Sequence, residues 1–168
     1  MVKLRLTDAE PRLVEWILRL LKALGCGKAV YKAESMAYWL MKSEPESYSW
    51  SDLVRDGATE WDGVRNNAAR LHLKAMQPGD EAFFYHSMSD KAVVGIMRVT
   101  RGAQPDAKDS DWVSVRVEPV RPIGPVTLKD IKAEPSLAAM ELIRQSRLSV
   151  APVRDEEWRK VLEMAKPA

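Results

Sequence analysis

Cysteine is almost absent from this 168-residue chain, where Cys26 stands alone. A single cysteine excludes an intrachain disulfide framework and fits a reducing, cytoplasmic setting. Cys26 lies between two glycines with no base predicted beside it, which argues against a nucleophile. Histidine is nearly as scarce, with only His72 and His86. Neither has a second histidine, cysteine or carboxylate at metal-ligand spacing, so the reading includes no metal and no cofactor. Long apolar runs are missing as well. The N-terminal apolar stripe is broken by Arg12, Glu15, Arg19 and Lys22, too often for a membrane span or a signal-peptide core. There is no Walker or GxGxxG loop, no internal repeat and no low-complexity tract. Net charge is only +2 and unevenly spread: residues 1–35 carry seven Lys/Arg against four Asp/Glu, and residues 36–168 nineteen against twenty. The larger part is therefore no bulk polyanion binder, and recognition of nucleic acid would need a local basic patch or a pocket.

What is present divides at about residue 36. Upstream, Asp8 can cap a helix from Ala9 to Leu24, with Pro11 in its first turn and Gly25 as its stop. Leu13, Ile17, Leu20, Leu21 and Leu24 share one face. Two readings of residues 1–35 stand: an amphipathic helix that docks on the body or on a protein partner, or an extension upstream of a natural start at Met36.

Downstream, Ala37–Lys42 reads as a short buried strand that runs into Ser43-Glu44-Pro45, where Pro45 keeps Glu44 extended. Ser49 or Ser51 caps a short helix ending at Asp56-Gly57. Glu60 to Arg70 then packs a tryptophan, a glycine, two arginines and two amides into eleven residues. This is a loop from Trp61 to Arg65 delivering the chain to a helix capped by Asn66 or Asn67 and running to Met76. A helix N-terminus favours anionic or acceptor-rich ligands. The structural alternative makes Trp61 a core anchor and Arg65 one half of an ion pair. Glu81–Ser87 is a strand whose period of two sets Phe84 and His86 against Phe83 and Tyr85. Strands follow at Ala92–Thr100, where Gly95 marks a bulge or close approach, and at Trp112–Val120. Arg101–Asp111 between them reads as a polar, mobile loop. Thr127–Asp130 opens a helix by a capping pattern, Leu137–Ile143 looks like another, and Arg147–Val150 is a strand stopped by Pro152. A last helix spans about Asp155 to Ala165, its stripe of Trp158, Val161 and Leu162 being core packing. Short strands without regular βαβ crossovers give an α+β class, a mostly antiparallel β-barrel surrounded by short α-helices.

Four motifs in order, Tyr38-Trp39-Leu40-Met41-Lys42-Ser43-Glu44-Pro45, Trp61-Asp62-Gly63-Val64-Arg65-Asn66, Phe84-Tyr85-His86-Ser87 and Arg147-Leu148-Ser149-Val150, resemble the EVE domain of the PUA-like superfamily, alongside YTH and ASCH domains. The resemblance is collinear from about Met36 to Met164. It makes residues 36–168 the EVE domain and leaves 1–35 as an N-terminal extension. Arg101–Asp111 looks shorter than in many members. The resemblance implies a pocket that takes one flipped, modified base, such as 5-methylcytosine in DNA, without catalysis. The pocket would be formed by Lys42, Ser43, Glu44, Trp61, Gly63, Val64, Arg65, Asn66, Tyr85, His86 and Ser87. Trp61 or Tyr85 would supply the stacking face, and Lys42, Ser43, Glu44, Asn66 and His86 the polar edge. Arg65, Arg70, Arg147 and Ser149 would hold the flanking phosphates. Two other readings are a reader of modified RNA such as tRNA, separable by dependence on the 2′-hydroxyl, and an enzyme on a nucleotide-like substrate with Glu44 and His86 as acid and base. A third is an interaction module that contacts its complex through the N-terminal helix.

Overall fold

The structure is a computed structural model that describes residues 36–166; the expected N-terminal helix lies outside the described residues. Six strands form one sheet in the order β2-β5-β4-β3-β1-β6. These are β1 (Tyr38–Ser43), β2 (Thr59–Trp61), β3 (Glu81–His86), β4 (Ala92–Asp106), β5 (Asp109–Thr127) and β6 (Val150–Val153). Only β1 and β3 pair in parallel; the other neighbours are antiparallel. The result is a mixed sheet with helices around it, in the expected α+β class.

The sheet is covered on both faces where β1 and β3 run, which is why Trp39–Met41 and Ala82–Tyr85 are apolar on successive residues. On one face Trp39, Met41, Phe84, Met97, Val115 and Val117 pack with Leu53, Ala69 and Leu73. These last three come from α1 (Trp50–Asp56) and α2 (Asn67–Ala75). On the other face Leu40, Phe83, Tyr85, Val93 and Ile96 meet Ile131, Leu142, Trp158 and Val161. This second layer is built by α3 (Leu128–Ala133), α4 (Glu141–Arg144) and α5 (Asp155–Met164). The period of two in β3 thus divides Phe84 from Phe83 and Tyr85 as its pattern predicts. The Trp158 ring lies between Phe83, 3.9 Å away, and Tyr38, 4.4 Å away, stacked on both.

Local signals set the helix ends. Ser49 and Asp52 form a reciprocal capping box on α1, which stops at Gly57 in the left-handed conformation. Asn66 caps α2 by accepting the Ala69 N–H at 3.0 Å, and Thr127 with Asp130 repeats the box on α3. Gly95 answers both readings of it. The β4–β5 register shifts beside it, and a Cβ there would come within 2.5 Å of the Trp50 ring.

Four expectations need correction. Arg101–Asp111 is not a mobile loop. β4 continues to Asp106 and β5 starts at Asp109, so the segment is the tip of a long hairpin. β5 also runs past Val120 to Thr127, with Pro119, Pro122 and Pro125 in this part of the strand. Its pairing with β4 shifts register repeatedly there, because proline gives no N–H to the ladder and the strand must bend. The last strand spans Val150–Val153 with Pro152 inside it. It is an edge strand, where a missing N–H is tolerated. The helix expected at Leu137–Ile143 is broken into a 3-10 turn, Pro135–Leu137, and α4, with Met140 extended between them.

The hairpin tip has a structural task. Asp106 is 2% exposed, and its carboxylate accepts from the Lys108 N–H at 2.8 Å, the Gly63 N–H at 3.2 Å and Arg65 Nη1 at 3.0 Å. The backbone bond from Lys108, then Arg65, lowers its pKa from 3.8 to about 2. A depressed carboxylate pKa gives stability that is fully present above 3.8 and lost as pH falls towards about 2. Asp52, Asp130 and Glu134 are depressed too, so the Asp106 share is read as a difference. In denaturant unfolding of wild type and Asp106→Asn across that range, the stability gap should stand at neutral pH and close on acidification. A gap that persists at the lowest pH would show that the Asp106 charge is not what holds the tip.

Candidate functional site

The strand ends and the loop after β2 surround a cleft of about 460 Å³. One wall is the end of β1, Lys42 and Ser43, with Ser149 just before β6. Lys42 is half-buried, and its Nζ donates to the Ser146 carbonyl at 2.9 Å; burial lowers its pKa. A second wall is Ser47 and Tyr48, in the turn that Pro45 starts. The Ser43 hydroxyl donates to the Tyr48 carbonyl at 2.6 Å. The Tyr48 hydroxyl donates to Asp56 at 3.1 Å, and burial is the main cause of its raised pKa.

The third wall is Thr59 to Arg65. Trp61 packs edge-on against Phe84 at 5.5 Å and is 8% exposed, so it is at once part of the core and part of the cleft. Glu60 is bonded to Arg101, to Arg116 at 3.3 Å and to the Ser114 hydroxyl at 3.4 Å. Asp62 pairs with Lys108 at 2.8 Å. Arg65 pairs with Asp106 and lies over the Trp112 ring at 5.5 Å. Arg70 lies over the same ring at 5.0 Å and donates to the Asp111 carbonyl at 2.9 Å. Gly63, at φ 74°, makes the turn that points its N–H at Asp106. A second cleft, about 320 Å³, continues along Asn66 and Ala68 at the start of α2 and Arg144 to Leu148.

Of the residues expected in the base pocket, Lys42, Ser43, Trp61, Gly63, Val64 and Arg65 come together in the main cleft, and Asn66 lines the second. The others are placed elsewhere. Glu44 is exposed and uses its backbone carbonyl to accept the Ser47 and Tyr48 N–H groups, both at 2.9 Å. Tyr85 faces the opposite layer, where burial pushes its phenol up to about 12. His86 is buried and spent on structure. Its Nε2 accepts the Trp50 N–H at 3.1 Å, and its Nδ1 lies 2.8 Å from Asp90. Ser87 donates to the Ser43 carbonyl at 3.1 Å. Among the residues expected at phosphates, Ser149 lines the main cleft, Arg147 the second, and Arg65 and Arg70 flank Trp112.

Sequence reasoning missed Ser47, Tyr48, Thr59, Glu60 and Asp62 as lining residues. Glu60 and Asp62 flank Trp61, and that adjacency was a usable signal. Tyr48 had none, because its place depends on how the turn after Pro45 folds back. Among the described residues, no group of three or more His, Cys, Asp or Glu could hold a metal. No described helix is long and apolar enough to cross a membrane.

Comparison with known proteins agrees with this architecture. The chain is 35% identical over 164 residues to mouse thymocyte nuclear protein 1, covering 76% of this chain and 73% of that protein. A protein of Rhodopseudomonas palustris solved by NMR matches at 48% identity with a TM-score of 0.74, over 77% of this chain and 92% of that one. The crystal structure of human THYN1 protein in complex with 5-methylcytosine containing DNA matches at 33% identity with a TM-score of 0.72, over 76% of this chain and 96% of that one. The family model for the EVE domain matches residues 37–164. This chain belongs to the EVE domain family.

Proposed function

We propose that this protein is a non-catalytic reader of modified DNA that takes a flipped, modified cytosine into the 460 Å³ cleft. The observation that carries the reading is the convergence, in one cleft, of Tyr48 and Trp61 with the polar edge of Lys42, Ser43 and Arg65. A flipped base needs an aromatic surface for its face and hydrogen-bonding groups for its rim. The volume is within the range of roughly 300–1,000 Å³ usual for small-molecule sites. A relative of the same fold, human THYN1, is solved with 5-methylcytosine containing DNA, and that supports cytosine as the base. Trp61 forms the inner, largely buried side of the cleft. Tyr48 is the more accessible aromatic, so it takes the greater part of the stacking. Arg65 stands at the rim and Arg147 in the adjoining cleft beside the N-terminus of α2. They fit the phosphates on either side of the extruded nucleotide. The acid–base reading with Glu44 and His86 loses its support, because His86 is engaged at both ring nitrogens and does not line the cleft. Residues 36–168 are the reader in this proposal, and 1–35 an extension open to a protein partner.

Three measurements test it. In a titration with matched DNA and RNA oligonucleotides, a DNA bearing 5-methylcytosine should bind more tightly than its unmodified counterpart and than either RNA. Equal weak binding to all of them would leave only the arginines and defeat the reading. Tyr48→Ala should weaken binding to the modified DNA roughly 5- to 150-fold, the equivalent of roughly 1–3 kcal/mol of stacking. Tyr48→Phe should stay close to wild type, and Trp61→Ala should instead lower fold stability by about 3–5 kcal/mol. Arg147→Ala should weaken modified and unmodified DNA alike and make the slope of log affinity against log salt shallower by about one. A loss confined to modified DNA would place Arg147 at the base.

A further inference from the structure

His86 cannot gain a proton without breaking a contact that supports the cleft. A backbone N–H only donates, so the 3.1 Å contact from the Trp50 N–H makes Nε2 of His86 an acceptor. The ring proton therefore sits on Nδ1, which donates to Asp90 at 2.8 Å. One neutral tautomer is selected. A proton added at Nε2 would set two N–H donors against each other across that 3.1 Å. The ring is buried, at 9% exposure, so water has little access to satisfy either donor.

The charged groups around the ring do not remove this conflict. Asp90 favours the cation, but it acts at Nδ1. On α1, Asp52 is engaged by Ser49 and Arg55. Ser43 of β1 and Ala92 of β4 lie opposite His86 and carry no charge. Lys42 and Glu44 flank Ser43, and Lys91 follows Asp90; among the described residues Asp90 is the ring's one ion-pair partner. Trp50 in turn matters to the cleft. It is the first residue of α1, and its ring lies edge-on to Phe84 at 5.6 Å. Two residues earlier, the Tyr48 carbonyl accepts from the Ser43 hydroxyl and the Tyr48 N–H donates to the Glu44 carbonyl. The wall of Ser47 and Tyr48 is thus held by the end of β1 on one side and by the Trp50–His86 bond on the other.

We propose that His86 is a positioning residue whose neutral ring holds the Tyr48 wall in place, so that recognition of modified DNA is linked to one proton. The inference rests on the reader function proposed above and adds the regulation of that site. A proton taken up at Nε2 releases the Trp50 N–H, frees the first turn of α1 and lets the Tyr48 wall draw away from the base. Proton and base then oppose each other, because the state that binds one well binds the other poorly. The sign follows. Affinity is full where the ring is neutral and falls on acidification, with a limiting slope of about one in log affinity per pH unit for a single proton. Histidine is the side chain suited to this, since it changes charge near neutral pH. His72, the only other histidine, packs against the Trp39 ring at 5.9 Å and lines neither cleft.

The test is a set of titrations of the full chain with a 5-methylcytosine duplex, at constant ionic strength, between about pH 5 and pH 8. Wild type should lose affinity roughly tenfold or more towards the acid end. His86→Gln puts a carboxamide oxygen where Nε2 stands, an acceptor that does not titrate. Its profile should be flat, whatever its affinity at neutral pH. Asp90→Asn keeps an acceptor for the Nδ1 proton but removes the charge that favours the cation, so its midpoint should move to lower pH. Nitrogen-15 NMR of the wild-type chain should show the neutral His86 ring protonated at Nδ1 and bare at Nε2. The Trp50 amide resonance should titrate with the same midpoint as the affinity. These two readings need no variant, so they stand even if both variants fold poorly. Equal slopes in wild type and His86→Gln would overturn the proposal. So would a neutral ring protonated at Nε2, or a Trp50 amide that ignores pH. A duplex that binds at no pH removes the reader function and this inference with it, whereas one that binds with pH-independent affinity removes this inference alone.

Discussion

A carboxylate with almost no access to water fixes the geometry of the cleft. Asp106 gathers two backbone N–H groups and one guanidinium, and a buried charge persists only when it is met in that way. Its partners come from two places far apart in the chain: the Gly63–Arg65 loop and the hairpin tip around Lys108. The loop after β2 has no ladder of its own, since β2 is only three residues long. What holds it is the hairpin tip. The positive φ of Gly63 aims a backbone donor at the carboxylate, and a side chain at that position would be strained. Asp62 and Lys108 add a second tie across the same gap. The long β4–β5 hairpin is therefore the outer scaffold of the site, with its twist and bulges bringing the tip back over the loop.

The parallel pairing of β1 and β3 decides which residues line the cleft and which support it. Lys42 lies opposite Tyr85 and Ser43 opposite His86. The two strand ends are neighbours, but only the β1 end opens to the cleft. The β3 end turns inward. Tyr85 joins the core of the far layer, and His86 pins the first N–H of α1. By pinning α1, His86 fixes the turn that carries Ser47 and Tyr48, so it shapes the cleft without touching what enters it.

The features legible in the sequence are those whose physics is local. The capping boxes at Ser49–Asp52 and Thr127–Asp130 work within one turn, and the two-faced pattern of β3 needs only the period of a strand. The Trp61–Arg65 loop stood out because a tryptophan, a glycine and an arginine at one spot serve no plain core or surface. The structural reading of that loop holds, since Trp61 is core and Arg65 is ion-paired, and both residues also line the cleft. What was illegible depends on distance or on broken rules. Arg101–Asp111 lacks apolar alternation because little besides Ala103 in it packs against a core, and its pairing comes from backbone bonds that composition does not reveal. The prolines of β5 and β6 count against strand locally, and the sheet accommodates them by bending or by placing them at an edge. The partners of Glu60 and Arg65 lie on β4 and β5, beyond the reach of any window along the sequence.

Charge in the cleft follows one pattern, and the pattern explains how a body of near-zero net charge can suit a polyanion. Most of the cleft's charged groups are already neutralised in pairs: Glu60 by two arginines, Asp62 by Lys108, Arg65 by Asp106. Partly exposed pairs of this kind add little to stability. They do hold side chains in fixed positions, and a site held in shape before its ligand arrives loses less entropy on binding. Attraction for phosphate is then left to a few cations at the rim, and in the proposed function affinity comes mainly from the fit and stacking of one base.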